Sequence, residues 1–245
     1  MKILDYLKKH TSLTTRKLSK LLNVSENTIR RDLRFLDNQG LINRDRNGAM
    51  ISTFHPETNF LLNLKKMKDE KTIIAKKAIN IIKEGELIAF SGGTTTYSVA
   101  TELENVPLTD LTIITNTVNI AQYLLDSRKH FKVILTGGIP REGFYECTGI
   151  IAERVVKQFN IDKFFMGVNG ISEQGGFSFF DLEEAEIAQT FLQQSKETYV
   201  VADSSKYDLT QKTKVADFTD VKGVISEQVP EKYKKLFQDN RVVVL

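Results

Sequence analysis

The sequence predicts a two-part α/β chain, a small winged helix-turn-helix head followed by a larger, mostly parallel α/β body. Three observations carry this expectation. The first fifty residues hold short helical patterns, a basic amphipathic segment and an Asn-Gly turn between β-prone runs. Beyond residue 83, short apolar runs alternate with helical patterns. The charge is also divided: residues 1–50 hold eleven Lys/Arg against five Asp/Glu, a surplus of +6, while the remainder carries −3. A basic segment on a mildly acidic body points the head at a polyanion. The expected division is a head over 1–54, a connector over 55–83 and a body over 84–245.

In the head, Ile3, Leu4 and Leu7 space a first short helix. Thr14 can cap a second, whose buried side would be Leu18, Leu21 and Leu22. Asn23-Val24 makes a short turn into a helix that Ser25 can cap. At about 100° per residue, Ile29, Leu33 and Leu36 share one narrow face, and Asn27, Arg30, Arg31 and Arg34 project from the other. Forked guanidiniums and an amide pair with guanine and adenine edges and with phosphates. Gly40 supplies a stop. Leu41–Arg44 and Ala49–Ile51 then flank Asn47-Gly48, a hairpin cue. On that wing Arg44 and Arg46 are placed to touch a backbone or minor groove. The candidate DNA contacts are Thr14, Ser25, Asn27, Thr28, Arg30, Arg31, Arg34, Arg44 and Arg46. A plain three-helix bundle with a solvated basic face would leave the charge surplus and the Asn-Gly turn without a reason.

From Glu57 to Lys83 the pattern predicts one helix, solvated at Lys65–Lys71 and packed through Ile73, Ile74, Ala78, Ile81 and Ile82. His55-Pro56 marks a break before it. In the body, the runs Leu87–Phe90, Leu111–Ile114, Lys132–Leu135, Lys163–Gly167, Thr198–Val201, Gly223–Ile225 and Val242–Leu245 read as strands. Small and polar residues follow the first five at once. They are Ser91-Gly92-Gly93-Thr94-Thr95-Thr96, Thr115-Asn116-Thr117, Thr136-Gly137-Gly138, Val168-Asn169-Gly170 and Asp203-Ser204-Ser205-Lys206. Open parallel sheets bind ligands beyond the carboxyl ends of their strands, so five polar turns converge on one crevice.

Gly92-Gly93 lets the chain approach a ligand, the helix after Thr94–Thr96 offers N–H groups to an anion, and Lys206 adds a point charge. The candidate effector contacts are Ser91, Gly92, Gly93, Thr94, Thr95, Thr96, Thr115, Asn116, Gly137, Gly138, Asn169, Gly170 and Lys206. Hydroxyl-rich and mildly cationic, the crevice suits a phosphorylated sugar or similar polyol. Arg141 and Arg154 are weighed equally as anion contacts and as packing or surface residues.

The head is similar to the N-terminal domain of the DeoR family of bacterial sugar-metabolism regulators. Val24-Ser25 and Thr28-Ile29-Arg30-Arg31-Asp32-Leu33 carry the resemblance. The wing Arg44-Asp45-Arg46-Asn47-Gly48-Ala49 lacks the family's histidine and one glycine. In the body, Ser91-Gly92-Gly93-Thr94-Thr95, Thr115-Asn116, Gly137-Gly138, Gly167–Gly170 and Asp203–Lys206 extend the resemblance over nearly the whole chain, with Ser91 where the family has aspartate. The resemblance implies a body similar to ribose-5-phosphate isomerase and a regulator, by expectation a repressor of a sugar catabolic operon, that answers to a sugar phosphate. The partners expected are double-stranded operator DNA and a second copy or more of the chain. No cofactor is expected.

The alternative is a sugar-phosphate isomerase carrying a DNA-binding appendage. Such chemistry needs a carboxylate base near the substrate carbon. The isomerases that the fold resembles place acids after the fourth-strand glycine, and Val168-Asn169-Gly170 has none. Asp203 could reach the crevice or cap the helix after it, and Glu183-Glu184 read as the start of a helix over Glu183–Lys196. Bulk features exclude other classes. No run of 18 apolar residues indicates membrane insertion, Cys147 stands alone, and His10, His55 and His130 lack metal-ligand spacing. A cytoplasmic location is expected.

Overall fold

The computed structural model describes residues 2–10, 12–38, 42–44, 47–51 and 60–245. Gly40, Leu41, Asp45, Arg46, His55-Pro56 and Glu57, all given roles above, lie outside the described residues. The chain divides into two compact units, Met1–Lys66 and Met67–Leu245.

The first unit runs α1 (Lys2–His10), β1 (Ser12–Thr14), α2 (Thr15–Leu22), α3 (Glu26–Asn38), β2 (Ile42–Arg44), β3 (Gly48–Ile51) and α4 (Phe60–Lys65). Ile3, Leu7, Leu18, Ile29, Leu33 and Leu36 from the three leading helices close one core with Leu13, Ile42 and Ala49. Asn23 turns α2 into α3 through a left-handed backbone (φ 54°), where asparagine is tolerated. Leu21, expected inside, stands 41% exposed. The eight-residue α2 buries Leu18 fully and leaves Leu21 at the rim beside Lys2, Asp5 and Tyr6.

The strands form a three-stranded antiparallel sheet ordered β1-β3-β2. Three residues are too few for β1 to show an alternation in sequence. Gly48 opens β3 against Leu13, and a Cβ there would lie 2.2 Å from the Leu13 carbonyl oxygen. The glycine is needed for this strand contact as well as for the turn. Gly48→Ala is expected to destabilise the head by about 1–3 kcal/mol, an overpacking cost. Chemical denaturation followed by far-UV circular dichroism measures it.

In the second unit, α5 (Lys68–Ile79) precedes β4 (Leu87–Phe90), α6 (Thr94–Glu102), β5 (Thr112–Thr115), α7 (Val118–Asp126) and β6 (Lys132–Leu135). A hairpin, β7 (Ile139–Arg141) and β8 (Glu146–Thr148), leads to α8 (Ile150–Val156) and β9 (Ile161–Gly167). Then come β10 (Gly170–Ser172), β11 (Gly176–Phe179), α9 (Leu182–Gln193) and β12 (Ser195–Val201). The chain finishes with β13 (Thr213–Ala216), β14 (Gly223–Ile225), α10 (Glu231–Asp239) and β15 (Val243–Val244). The single connector helix expected up to Lys83 is broken: Met67 has φ 50°, which a right-handed helix cannot pass, so α4 and α5 are separate.

All seven strands expected in the body pair in parallel, in the order β15-β14-β12-β9-β4-β5-β6. Their carboxyl ends are level: Phe90 pairs with Thr115 and Phe165, Thr115 with Leu135, and Val201 with Gly167 and Ile225. The chain builds outward from β4 through β5 to β6, then returns to the other side of β4 with β9 and builds outward again. The switch point therefore falls between β4 and β9, where such sheets open a crevice. Alternating strand residues feed two cores. Ile88, Phe90 and Phe165 face α5, α6 and α7; Ala89, Phe164 and Met166 face α8, α9 and α10. The small antiparallel sheet β10-β11-β13 and the β7-β8 hairpin were not expected from sequence.

Candidate functional site

Two surfaces carry the candidate residues. On the head, Ser25 caps α3: its hydroxyl accepts the Thr28 N–H at 3.1 Å and meets the Thr28 hydroxyl at 2.9 Å. Thr14 caps α2 by accepting the Lys17 N–H at 3.2 Å. Both amino termini are thereby held on the exposed side. Arg30 is steered along the helix, donating to Glu26 at 2.9 Å and to Asn27 at 3.1 Å. Arg31 stands clear, its side chain 81% exposed, with Asp32 only at 3.9 Å. Asn27, Arg34 and Arg44 are exposed and Thr28 half-buried. Phe35, given no role from sequence, is 54% exposed one turn beyond Arg31. An exposed ring there can meet a thymine methyl.

On the body, Ser91, Gly92 and Gly93 leave β4 at the switch point. Ser91 is buried and accepts the Gly167 N–H at 2.9 Å, tying β4 to β9. Gly93 (φ 112°) starts α6, and the Thr96 hydroxyl donates to the Gly92 and Gly93 carbonyls at 2.9 Å. Thr94 is half-buried and Thr95 buried in the same first turn. The Thr115 hydroxyl is committed to the Phe90 carbonyl at 2.9 Å and to the Thr117 hydroxyl at 2.7 Å, so it locks adjacent strand ends. Asn116 is buried and donates to the Cys147 carbonyl at 3.0 Å.

Two candidate glycines pack closely against backbone. A Cβ at Gly138 would lie 2.6 Å from the Thr148 carbonyl oxygen, and one at Gly170 would lie 2.4 Å from that of Leu209. Gly137 faces open space. The Asn169 side chain accepts the Phe180 N–H at 2.9 Å. Lys206 is half-buried and ends a single turn of 3-10 helix after β12, and Asp203 caps that turn by accepting the Ser205 N–H at 3.1 Å. The structure thus gathers Ser91–Thr96 and Asn116 around β4 and β5, with Gly167 beside them.

The charge of this region differs from the mildly cationic crevice expected. Glu146 on β8 is 2% exposed and lies over Gly92, where a Cβ would sit 1.8 Å from its Oε1. Its Oε2 accepts from Arg141 at 2.8 Å. Arg141 also faces Glu184 at 3.4 Å and Asp181 at 3.5 Å, so three carboxylates share one buried guanidinium. Arg141 is therefore spent on protein acids, and Arg154 is exposed on α8. Asp181 caps α9 by accepting the Glu183 and Glu184 N–H groups, and Glu183 accepts the Thr148 hydroxyl at 2.9 Å. Sequence reading missed Glu146 because the hairpin that carries it was not recognised. The pairing Arg141↔Glu146 across two strands of three residues each leaves no mark in the sequence.

Burial holds Glu146 well above the usual carboxylate range, Glu184 raises it further, and Arg141 opposes both. Burial likewise pushes Glu184 from 4.5 up to about 7, again against Arg141. A carboxyl raised on folding binds more protons in the folded than in the unfolded state between these two values. The stability it contributes is present below about 4.5 and is lost as pH rises through about 7. The body's thermal unfolding midpoint is thus expected to fall from pH 5 to pH 8, and Glu184→Gln is expected to flatten that fall, as calorimetry would show. Among the described residues, no group of His, Cys, Asp or Glu could hold a metal ion. No described helix is long and apolar enough to cross a membrane.

An exposed, capped basic helix beside a three-stranded wing, with an α/β body whose parallel sheet reverses its order between β4 and β9, defines a winged helix-turn-helix regulator. The family description "DeoR-like helix-turn-helix domain" matches residues 1–53, and "DeoR C terminal sensor domain" matches residues 66–228. The HTH-type transcriptional repressor GlcR of Bacillus subtilis is 32% identical, over 93% of this chain and 87% of its own. The lactose phosphotransferase system repressor of Staphylococcus epidermidis is 29% identical, over 92% and 89%. The chain belongs to the DeoR family of transcriptional regulators. It is a DNA-binding regulator and not an enzyme, which removes the isomerase alternative. Among solved structures, a Pyrococcus horikoshii translation initiation factor eIF-2B shares the fold at TM-score 0.50 and 16% identity, covering 69% of this chain and 68% of that one. Ribose 5-phosphate isomerase of Methanocaldococcus jannaschii gives a slighter likeness, TM-score 0.43 at 17% identity over 58% and 55%.

Proposed function

We propose that this regulator represses a sugar catabolic operon in the cytoplasm, and that a sugar phosphate bound at the carboxyl ends of β4, β5 and β9 governs its hold on the operator. The observation that carries the reading is the set of strand-end turns gathered at the switch point between β4 and β9. It joins a glycine-rich loop and the free N–H groups of α6, which favour a phosphate, to buried carboxylate and amide oxygens, which favour hydroxyls. A relative named as the repressor of a lactose phosphotransferase system supports the sugar-operon part of the reading.

On this reading residues 1–54 grip DNA, 55–83 connect, and 84–245 sense. Thr14, Ser25, Asn27, Thr28, Arg30, Arg31, Arg34, Arg44 and Arg46 contact the operator. Ser91, Gly92, Gly93, Thr94, Thr95, Thr96, Asn116, Gly137, Asn169 and Lys206 line or approach the effector, while Thr115, Gly138 and Gly170 shape its walls. One reading helix makes too small an interface for operator affinity. A homodimer or larger assembly therefore presents paired heads about one DNA turn, or a multiple of it, apart. The effector acts by binding one arrangement of the heads better than the other.

A gel shift on the DNA upstream of its own gene, repeated across hexose and pentose phosphates, tests the reading. One sugar phosphate is expected to change the shift. Lys206→Ala is expected to raise the concentration of that sugar phosphate needed by about tenfold, the loss of one charge-assisted contact. No response to any member of the panel would remove the sugar phosphate from the account.

A further inference from the structure

Beside the loop that would take the phosphate, one buried oxygen has no partner. Asn116 is 1% exposed, its N–H is used on the Cys147 carbonyl, and its Oδ1 accepts no hydrogen bond among the described residues. Such an orphan acceptor has given up its water without a replacement bond. The Thr115 and Thr117 hydroxyls in the same turn bond each other and the Asn169 Oδ1 accepts the Phe180 N–H, while the other unpartnered amide nearby, Asn119 Nδ2, is a donor inside α7. Its neighbour is Glu146. The Cys147 N–H donates to the Asn116 carbonyl at 2.7 Å, and Thr117 bridges to Glu146 backbone to backbone. Glu146 in turn keeps Oε2 on Arg141 and sets Oε1 over Gly92, two residues before the start of α6.

Glu146 thus sets an oxygen acceptor over the glycine loop, and the hairpin that carries it is bonded through Cys147 to Asn116, whose own acceptor is unpartnered at the neighbouring strand end. The complement of these two acceptors is a molecule with hydrogen-bond donors close to an anionic group. We propose that Glu146 and Asn116 form the acceptor pair that reads the hydroxyl groups of the effector, while the amino terminus of α6 takes its phosphate. This assignment rests on the sugar-phosphate reading above and makes Glu146 a specificity-determining residue. Held by Arg141, the carboxylate is fixed before ligand arrives, so little ordering is needed on binding.

Isothermal titration calorimetry of the full chain tests it, with a panel of hexose and pentose phosphates and with inorganic phosphate alone. Wild type, Glu146→Gln and Asn116→Ala are compared, with circular dichroism confirming that each variant folds. Asn116→Ala leaves the Arg141 cluster whole and serves if Glu146→Gln unfolds. The sugar phosphate that binds wild type is expected to bind each variant about tenfold more weakly or worse, while inorganic phosphate shifts by less than about twofold. Equal loss for sugar phosphate and inorganic phosphate would mean that the pair only props the loop, and overturns the proposal. Unchanged sugar phosphate binding in both variants overturns it too. If wild type binds inorganic phosphate but no sugar phosphate, the broader reading fails along with this assignment.

Discussion

The double variant Arg31→Ala/Arg34→Ala is expected to lose about a hundredfold or more of operator affinity, since each lost base or phosphate contact is worth about 1–3 kcal/mol. The two side chains are exposed on the face of α3 opposite Ile29, Leu33 and Leu36, so truncation removes no packing from the head. Arg30→Ala is expected to cost less, because Arg30 already spends bonds on Glu26 and Asn27 that DNA would have to displace. The dependence of log affinity on log salt is expected to flatten by about one for each phosphate contact removed. Fluorescence anisotropy at several salt concentrations reads both quantities. Unchanged affinity in the double variant would dismiss α3 as the reading helix.

Arg141→Met is expected to destabilise the body by about 3–5 kcal/mol near neutral pH, the cost of leaving a buried charge uncompensated. Glu146, Glu184 and Asp181 would face one another without their shared cation. Protonation relieves that repulsion, so the deficit is expected to shrink toward pH 5. Urea unfolding at pH 5 and pH 8 measures it. An equal deficit at both values would mean that Arg141 acts by packing, for instance on the Phe144 ring 4.2 Å away, and not by charge.

The two kinds of surface were legible to different degrees. The reading helix was plain because Ile29, Leu33 and Leu36 repeat at helical spacing while the arginines keep to the other side. Leu87–Phe90 and Gly223–Ile225 were bounded correctly because a strand buried on both faces reads as an unbroken apolar run, and Lys132–Leu135 was bounded correctly although it is an edge strand with exposed ends. The order β9-β4-β5 was not, because register across a parallel sheet leaves no local mark. The polar turns at the strand ends were legible, yet the acids packed beside them were not. Arg141 looked like an anion site on its own, and only the fold brings Glu146 and the start of α9 against it. Of the three-residue strands, β2 showed through the Asn-Gly turn beside it and β14 through its apolar run, whereas β1, β7, β8 and β10 had neither cue to follow. Met67 breaks the connector through its backbone angle, which a methionine does not announce.

The central claim is that a cationic head holds duplex DNA and that the strand-end crevice of the body controls that hold. Anisotropy of labelled operator DNA, titrated with the full chain at low salt in the presence and absence of each sugar phosphate, tests it most directly. The account predicts salt-sensitive binding whose midpoint moves with one sugar phosphate and not with inorganic sulfate at the same ionic strength. Absence of DNA binding at low salt, or a midpoint that follows ionic strength alone, would contradict it.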